Sequence, residues 1–206
     1  MGWQEDVIEC AGWAMRSEDL RQRFINCDHP IDFNKTVGIE DVREEMIVRT
    51  LYECLSSMGY QRDATIDLEK RYPSGRQRAD LAIKGGGRGQ PWKYIEVKNY
   101  SRTQGDNPVA RIKDDIYKLR NRGNWKGPGR GRKHTKYLLI YRTTPDDLGR
   151  FVRNLKRLIT ERNISKWNNL LVIGSMKMHK FKTLCTYNNE VHHGDCEIAL
   201  IRVRDR

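Results

Sequence analysis

Apolar residues recur along this chain in two rhythms, and the change from one to the other organises it. Between Ile39 and Met58, the residues Ile47, Leu51, Leu55 and Met58 repeat at the spacing of one helix face, and Gly59 closes the run. From Tyr60 the texture turns to short runs of β-branched and aromatic residues. Tyr60–Tyr72, Arg78–Lys84 and Trp92–Tyr100 read as three strands, separated by the turns Pro73-Ser74-Gly75 and Gly85-Gly86-Gly87-Arg88-Gly89. Helical spacing returns over Pro108–Arg120 through Ile112, Ile116 and Leu119, and Thr135–Tyr141 reads as a buried strand. Thr144-Pro145-Asp146-Asp147 combines an N-cap, a proline and first-turn acids, which predicts a helix running to Arg162. Leu170–Ile173 reads as a further strand, and Lys180–Tyr187 with Glu197–Val203 as a C-terminal hairpin. Upstream, residues 3–27 read as helical with a break near Ser17, before a linker at Asp28–Asp32.

The order helix, three strands, helix, strand predicts an α/β fold with a mixed central sheet flanked by helices. Three successive strands imply antiparallel pairing, whereas a strand that follows a helix implies a crossover into the same sheet. This core occupies 39–143. Residues 1–38 form an N-terminal helical extension, and 144–206 add a helix and strands that complete the same domain.

The chain has 206 residues, 37% apolar and 32% charged, which suffices for one core beneath a highly charged surface. Its formal charge is +12, and the basic excess recurs at 70–78, 84–102, 111–136 and 150–166 rather than in one tail. A broad basic surface of this kind suits a polyanion, with nucleic acid the expected partner. No apolar run approaches the roughly 20 residues that span a bilayer, so no membrane association is expected. The N-terminus lacks the basic start and apolar run of a secretory leader, which points to an intracellular protein, cytoplasmic or nucleoid-associated. Five scattered cysteines without a CxxC pair argue against a disulfide framework and for a reducing compartment. Cys185, His192, His193 and Cys196 are zinc-type donors, but their spacing forms no closed zinc motif.

The candidate chemistry centres on Tyr94-Ile95-Glu96-Val97-Lys98. Strand alternation sends Ile95 and Val97 into the core and turns Glu96 and Lys98 to the other face. Asp80 stands on the preceding strand, and the glycine turn between the two predicts a hairpin that sets Asp80 across from Glu96. Two close carboxylates repel unless a cation lies between them, and a hard divalent ion takes oxygen donors. Lys98 would orient a water or neutralise charge developing on a phosphate.

Ala79-Asp80, fifteen intervening residues and then Glu96-Val97-Lys98 resemble the motif of the PD-(D/E)xK nuclease superfamily. The αβββαβ order read over 39–143 is similar to its restriction-endonuclease-like core. Ala79 replaces the name-giving proline, and Lys113-x-x-x-Tyr117 stands where the RecB-like exonuclease branch has Gln-x-x-x-Tyr. The resemblance implies a Mg²⁺- or Mn²⁺-dependent phosphodiesterase cutting DNA as an endonuclease. Asp80, Glu96, the carbonyl of Val97 and a first-helix acid would be its metal ligands, and Lys98 would handle the water. Helical phase puts Glu44 ahead of Glu45 as that acid, because Glu44 shares the stripe of Ile47, Leu51 and Leu55. Glu69 is a possible supporting acid on the first strand. Lys113 and the Gly/Lys/Arg loop with Trp125, Lys126, Arg130, Arg132 and Lys133 are the candidate nucleic-acid contacts. Arg120 and Arg122 flank the site helix and are further basic candidates. A two-fold homodimer is expected by analogy alone. The alternatives are an inactive nucleic-acid-binding protein of the same fold and an RNA-cutting nuclease.

Overall fold

The computed structural model describes residues 2–27, 44–61, 65–72, 76–84, 91–99, 134–142, 170–185 and 190–203, together with 115, 116 and 119. Between 170 and 197 the description is of the backbone. The elements are α1 (Trp3–Cys27), α2 (Glu44–Ser57) and strands β1 (Ile66–Arg71), β2 (Arg78–Lys84), β3 (Trp92–Asn99), β4 (Thr135–Arg142), β5 (Leu170–Cys185) and β6 (Glu190–Val203). The protein is of the α/β class. The strands form one six-stranded sheet in the order β1-β2-β3-β4-β6-β5. Among the described residues only β3 and β4 pair in parallel; the other four pairings are antiparallel, so the sheet is mixed.

The parallel pair requires a crossover. Asp115, Ile116 and Leu119 are helical, and Ile116 and Leu119 are buried beside Tyr94, Leu138 and Ile140. The rest of the helix read over 108–120 lies outside the described residues, as do 39–43, the helix at 144–162 and the linker after Cys27.

Strand alternation builds two cores, one on each face of the sheet. Leu81, Ile83, Ile95, Val97, Leu139 and Leu200 lie beneath α1 and α2. Ala82, Tyr94, Leu138, Ile140 and Ile201 form the opposite face with Ile116 and Leu119. α2 presents Ile47, Leu51 and Leu55 to the first core. It ends in a Schellman motif: the Tyr60 N–H donates to the Leu55 carbonyl at 3.1 Å and the Gly59 N–H to that of Ser56 at 3.1 Å. Gly59 takes a φ of 98°, which a side chain would strain.

α1 runs unbroken through Ser17, against the break expected there. Its buried stripe of Val7, Ile8, Ala11, Ala14 and Met15 continues into Glu18, whose carboxylate meets Thr50 of α2. Packing on both sides of Ser17 outweighs its capping preference. α1 belongs to the same core as the sheet, with the Trp3 ring 4.9 Å from that of Tyr137. A disulfide joins Cys10 of α1 to Cys54 of α2, contrary to the reading of the cysteines as unpaired. The helix seam brings together two residues 44 apart in sequence, a proximity that spacing alone does not reveal.

Two strand boundaries also differ. The first begins at Ile66, not Tyr60, because the Gln61 carbonyl accepts the N–H groups of Thr65 and Ile66 in a turn. The run at 170–173 and residues 180–185 of the next belong to one strand, β5, which passes two register irregularities as it pairs with β6. In this register Cys196 stands opposite Met178 and Cys185 opposite Glu190, which separates those cysteines by seven residues along β5, roughly 23 Å at strand rise. They cannot share one zinc ion. No helix among the described residues is long and apolar enough to cross a membrane.

Candidate active site

Five parts of the fold converge at one end of the β2–β3 hairpin. Asp80 lies near the start of β2, Glu96 and Lys98 near the end of β3, Glu44 at the first turn of α2, Tyr72 just past β1, and Asp115 on the crossover. The β2–β3 ladder ends at Leu81↔Ile95, and one further step in that register sets Asp80 opposite Glu96. There the Asp80 side chain takes over from the backbone: its Oδ2 accepts the Val97 N–H at 2.7 Å.

Glu96 is 1% exposed, a carboxylate buried among Tyr72, Tyr94 and the second core. Its Oε1 accepts the Tyr72 hydroxyl proton. Burial foremost, and then the charge and hydrogen bond of Glu96 with the charges of Asp80 and Asp115, raise the Tyr72 pKa far above the ordinary phenol range. Asp80, Glu96 and Asp115 thus act on the same hydroxyl.

Lys98 is held between two acids. Its Nζ lies 2.8 Å from Glu44 Oε2 and 3.7 Å from Asp115 Oδ2. The other Glu44 oxygen accepts the Asn99 N–H at 3.0 Å. Burial alone would lower the Lys98 pKa. The hydrogen bond and charge of Glu44, with the charges of Asp115 and Asp80, outweigh it and leave the pKa raised.

The structure therefore brings together Glu44, Asp80, Glu96 and Lys98, with the Val97 backbone alongside. Glu44 meets Lys98 and Asn99, so its visible part is to hold the ammonium group. Glu45 is exposed and turns away, lining a cavity of ~480 Å³ between α1 and α2 with Glu18 and Arg21. Glu69 is exposed and pairs with Arg78 at 2.9 Å. Lys113, Arg120, Arg122, Trp125, Lys126, Arg130, Arg132 and Lys133 lie outside the described residues.

Tyr72, Asp115 and Lys136 were not singled out from the sequence. Lys136 is 1% exposed and stands on β4 at the level of Tyr94. Asp115 follows from the helical phase that buries Ile116 and Leu119, whereas no periodicity points to Tyr72.

Three carboxylates (Glu44, Asp115 and Asp80) act on the Lys98 ammonium group, and Asp80 and Asp115 act together with a fourth, Glu96, on Tyr72, in a chain of formal charge +12. A local acidic excess of this kind fits a hard divalent cation with oxygen donors. Among the described residues no three His, Cys, Asp or Glu side chains form a ready cage for a metal ion. The fit is to an ion such as Mg²⁺, which binds through one or two carboxylates and keeps several waters. No protein-family model, curated protein or solved structure matches this chain.

Proposed function

We propose that this protein is a nuclease of the PD-(D/E)xK kind with a restriction-endonuclease-like core, hydrolysing phosphodiester bonds of DNA as an endonuclease. The observation that carries the reading is the meeting of Asp80, Glu96, Lys98 and Glu44 from separate elements at one end of a hairpin. The net positive charge of the chain supports a polyanionic substrate.

Asp80 and Glu96 would hold a Mg²⁺ or Mn²⁺ ion, with the Val97 carbonyl as a further oxygen donor. When bound, such an ion lowers the pKa of a water and stabilises charge on phosphate oxygens. Lys98 remains an ammonium group beside Glu44 and offers a positive charge to the attacking water or to the phosphate. Glu44 keeps that charge in place, and Asp115 borders it on the other side. The burial of Glu96 and Tyr72 keeps bulk water from one side of the site.

The deciding experiment incubates the full chain with supercoiled plasmid, linear duplex, single strands, four-way junctions and RNA, each with Mg²⁺, Mn²⁺ or chelator. Duplex DNA should be cut with either ion and spared under chelation. Cutting confined to RNA would transfer the same chemistry to the other substrate. Binding of nucleic acid with neither cleavage nor Mn²⁺ uptake would leave the non-catalytic alternative.

A further inference from the structure

β1 changes faces before it ends. Ile66 and Leu68 pack on the core beneath the helices. Two and four residues beyond Leu68, Lys70 lies over the Trp92 ring and Tyr72 is buried in the opposite core. Regular alternation would keep all four on one side. Between them Glu69 takes a φ of 47°, in the left-handed region that L residues seldom adopt. Glu69 stands where the facing of the strand changes, and beyond it Tyr72 reaches the site.

Tyr72 is then fixed from three directions. Its N–H donates to the Gln77 carbonyl at 3.0 Å, closing the approach to β2. Its ring lies 5.2 Å from that of Tyr94. Its hydroxyl donates to Glu96 Oε1 inside the core, where Tyr72 is 2% exposed. A carboxylate on an extended glutamate has rotamer freedom that a cation ligand must give up, and a hydrogen-bond donor behind it removes that freedom in advance.

We propose that Tyr72 is a positioning residue for Glu96: its hydroxyl holds one carboxylate oxygen so that the group is oriented for a divalent cation before the ion arrives. This rests on the reading of Asp80 and Glu96 as metal ligands. The role belongs to the hydroxyl and not to the ring, which Tyr72→Phe retains.

Calorimetric titration of the full chain with Mn²⁺, without nucleic acid, tests it. Tyr72→Phe should bind Mn²⁺ about tenfold or more weakly than the wild type. Mn²⁺ uptake that Asp80→Ala abolishes and Tyr72→Phe leaves within about twofold overturns the positioning role alone. A wild-type chain that takes up no Mn²⁺ overturns both this role and the reading of the site. Should Tyr72→Phe fail to fold because it takes a hydrogen bond from a buried charge, the comparison moves to Glu96→Gln, where that charge is gone. Mn²⁺ affinity there, measured by electron paramagnetic resonance at high ion concentration, should be unchanged by adding Tyr72→Phe, since Tyr72 acts only through Glu96. A further tenfold or greater loss would overturn the proposal.

Discussion

Two buried glutamates, one on each side of the sheet, sit in contrasting surroundings. Glu18, 6% exposed in the seam between α1 and α2, accepts a hydrogen bond from the Thr50 hydroxyl at 3.1 Å and one from the Arg21 guanidinium at 2.8 Å. Arg21 brings a positive charge to it, and a disulfide ties the same two helices. Glu96 accepts from an uncharged phenol, and Asp80 and Asp115 add negative charge around that phenol. A buried charge ordinarily finds a partner of opposite sign or a metal. The helical side follows the first course and is arranged for stability. The other side gathers Glu44, Asp80, Glu96 and Asp115 with the Lys98 ammonium group, an excess of acids that favours cation binding.

That contrast can be broken most sharply at Glu96 itself. Glu96→Gln should reduce cleavage by about a hundredfold or more, while the melting temperature stays level or rises because crowded acids are relieved. A pronounced fall in melting temperature with cleavage intact would reverse the assignment. Next in size is the disulfide. Closing a 44-residue loop removes unfolded-state entropy equivalent to about 4 kcal/mol in the chain-entropy account. Melts with and without reductant should differ accordingly, and the cleavage rate well below the melting temperature should not. Equal melting curves would take the disulfide out of the contrast.

Glu18→Ala comes third, at about 1–3 kcal/mol for the hydrogen bonds lost and the polar partners left behind. In a chain of this length each kcal/mol lowers the melting temperature by about 2–4 °C, with Mn²⁺ affinity unaltered. A change in Mn²⁺ affinity would link the two sides. The smallest effect belongs to His134, whose Nδ1 accepts the Trp92 N–H at 3.0 Å at the far end of the site face. Burial lowers its pKa below 6.5, and an N–H donated to Nδ1 favours the same neutral ring. Its contribution to stability is therefore complete above pH 6.5 and is lost as pH falls through the lower folded value. His134→Gln should flatten this acid limb of the stability profile, and an unchanged limb would place the sensitivity elsewhere.

The parts of this arrangement legible from sequence are those written in local periodicity. β2, β3 and β4 begin and end within a residue or so of the alternating runs at 78–84, 92–100 and 135–141, because turn residues flank them and one pattern governs each. Asp80, Glu96 and Lys98 were legible for the same reason: a hairpin and a period of two suffice to bring them near one another. Ser17 misled because Ser-Glu-Asp is equally at home at a helix start and on a continuing helix, and the contact of Glu18 with Thr50, 32 positions away, decides between them. Cys10 and Cys54 meet through the pairing of two helices, which residue spacing does not encode. Tyr72 was hidden because a period of two from Ile66 and Leu68 points it to the opposite core, and the change of face at Glu69 leaves no mark in the pattern.

β5 carries a consequence of another kind. It is the outermost strand on its side of the sheet and 16 residues long, roughly 50 Å at strand rise. An uninterrupted ribbon of that length would be an open template for adding another chain's strand, a route to aggregation. The shifts at Val172/Gly174 and Met178/Phe181 divide its ladder into runs of three, five and five paired residues. Each irregularity twists the ribbon and spoils a flat docking edge. Substitutions that regularised β5 would therefore leave this edge stickier, though they touch nothing near Glu96.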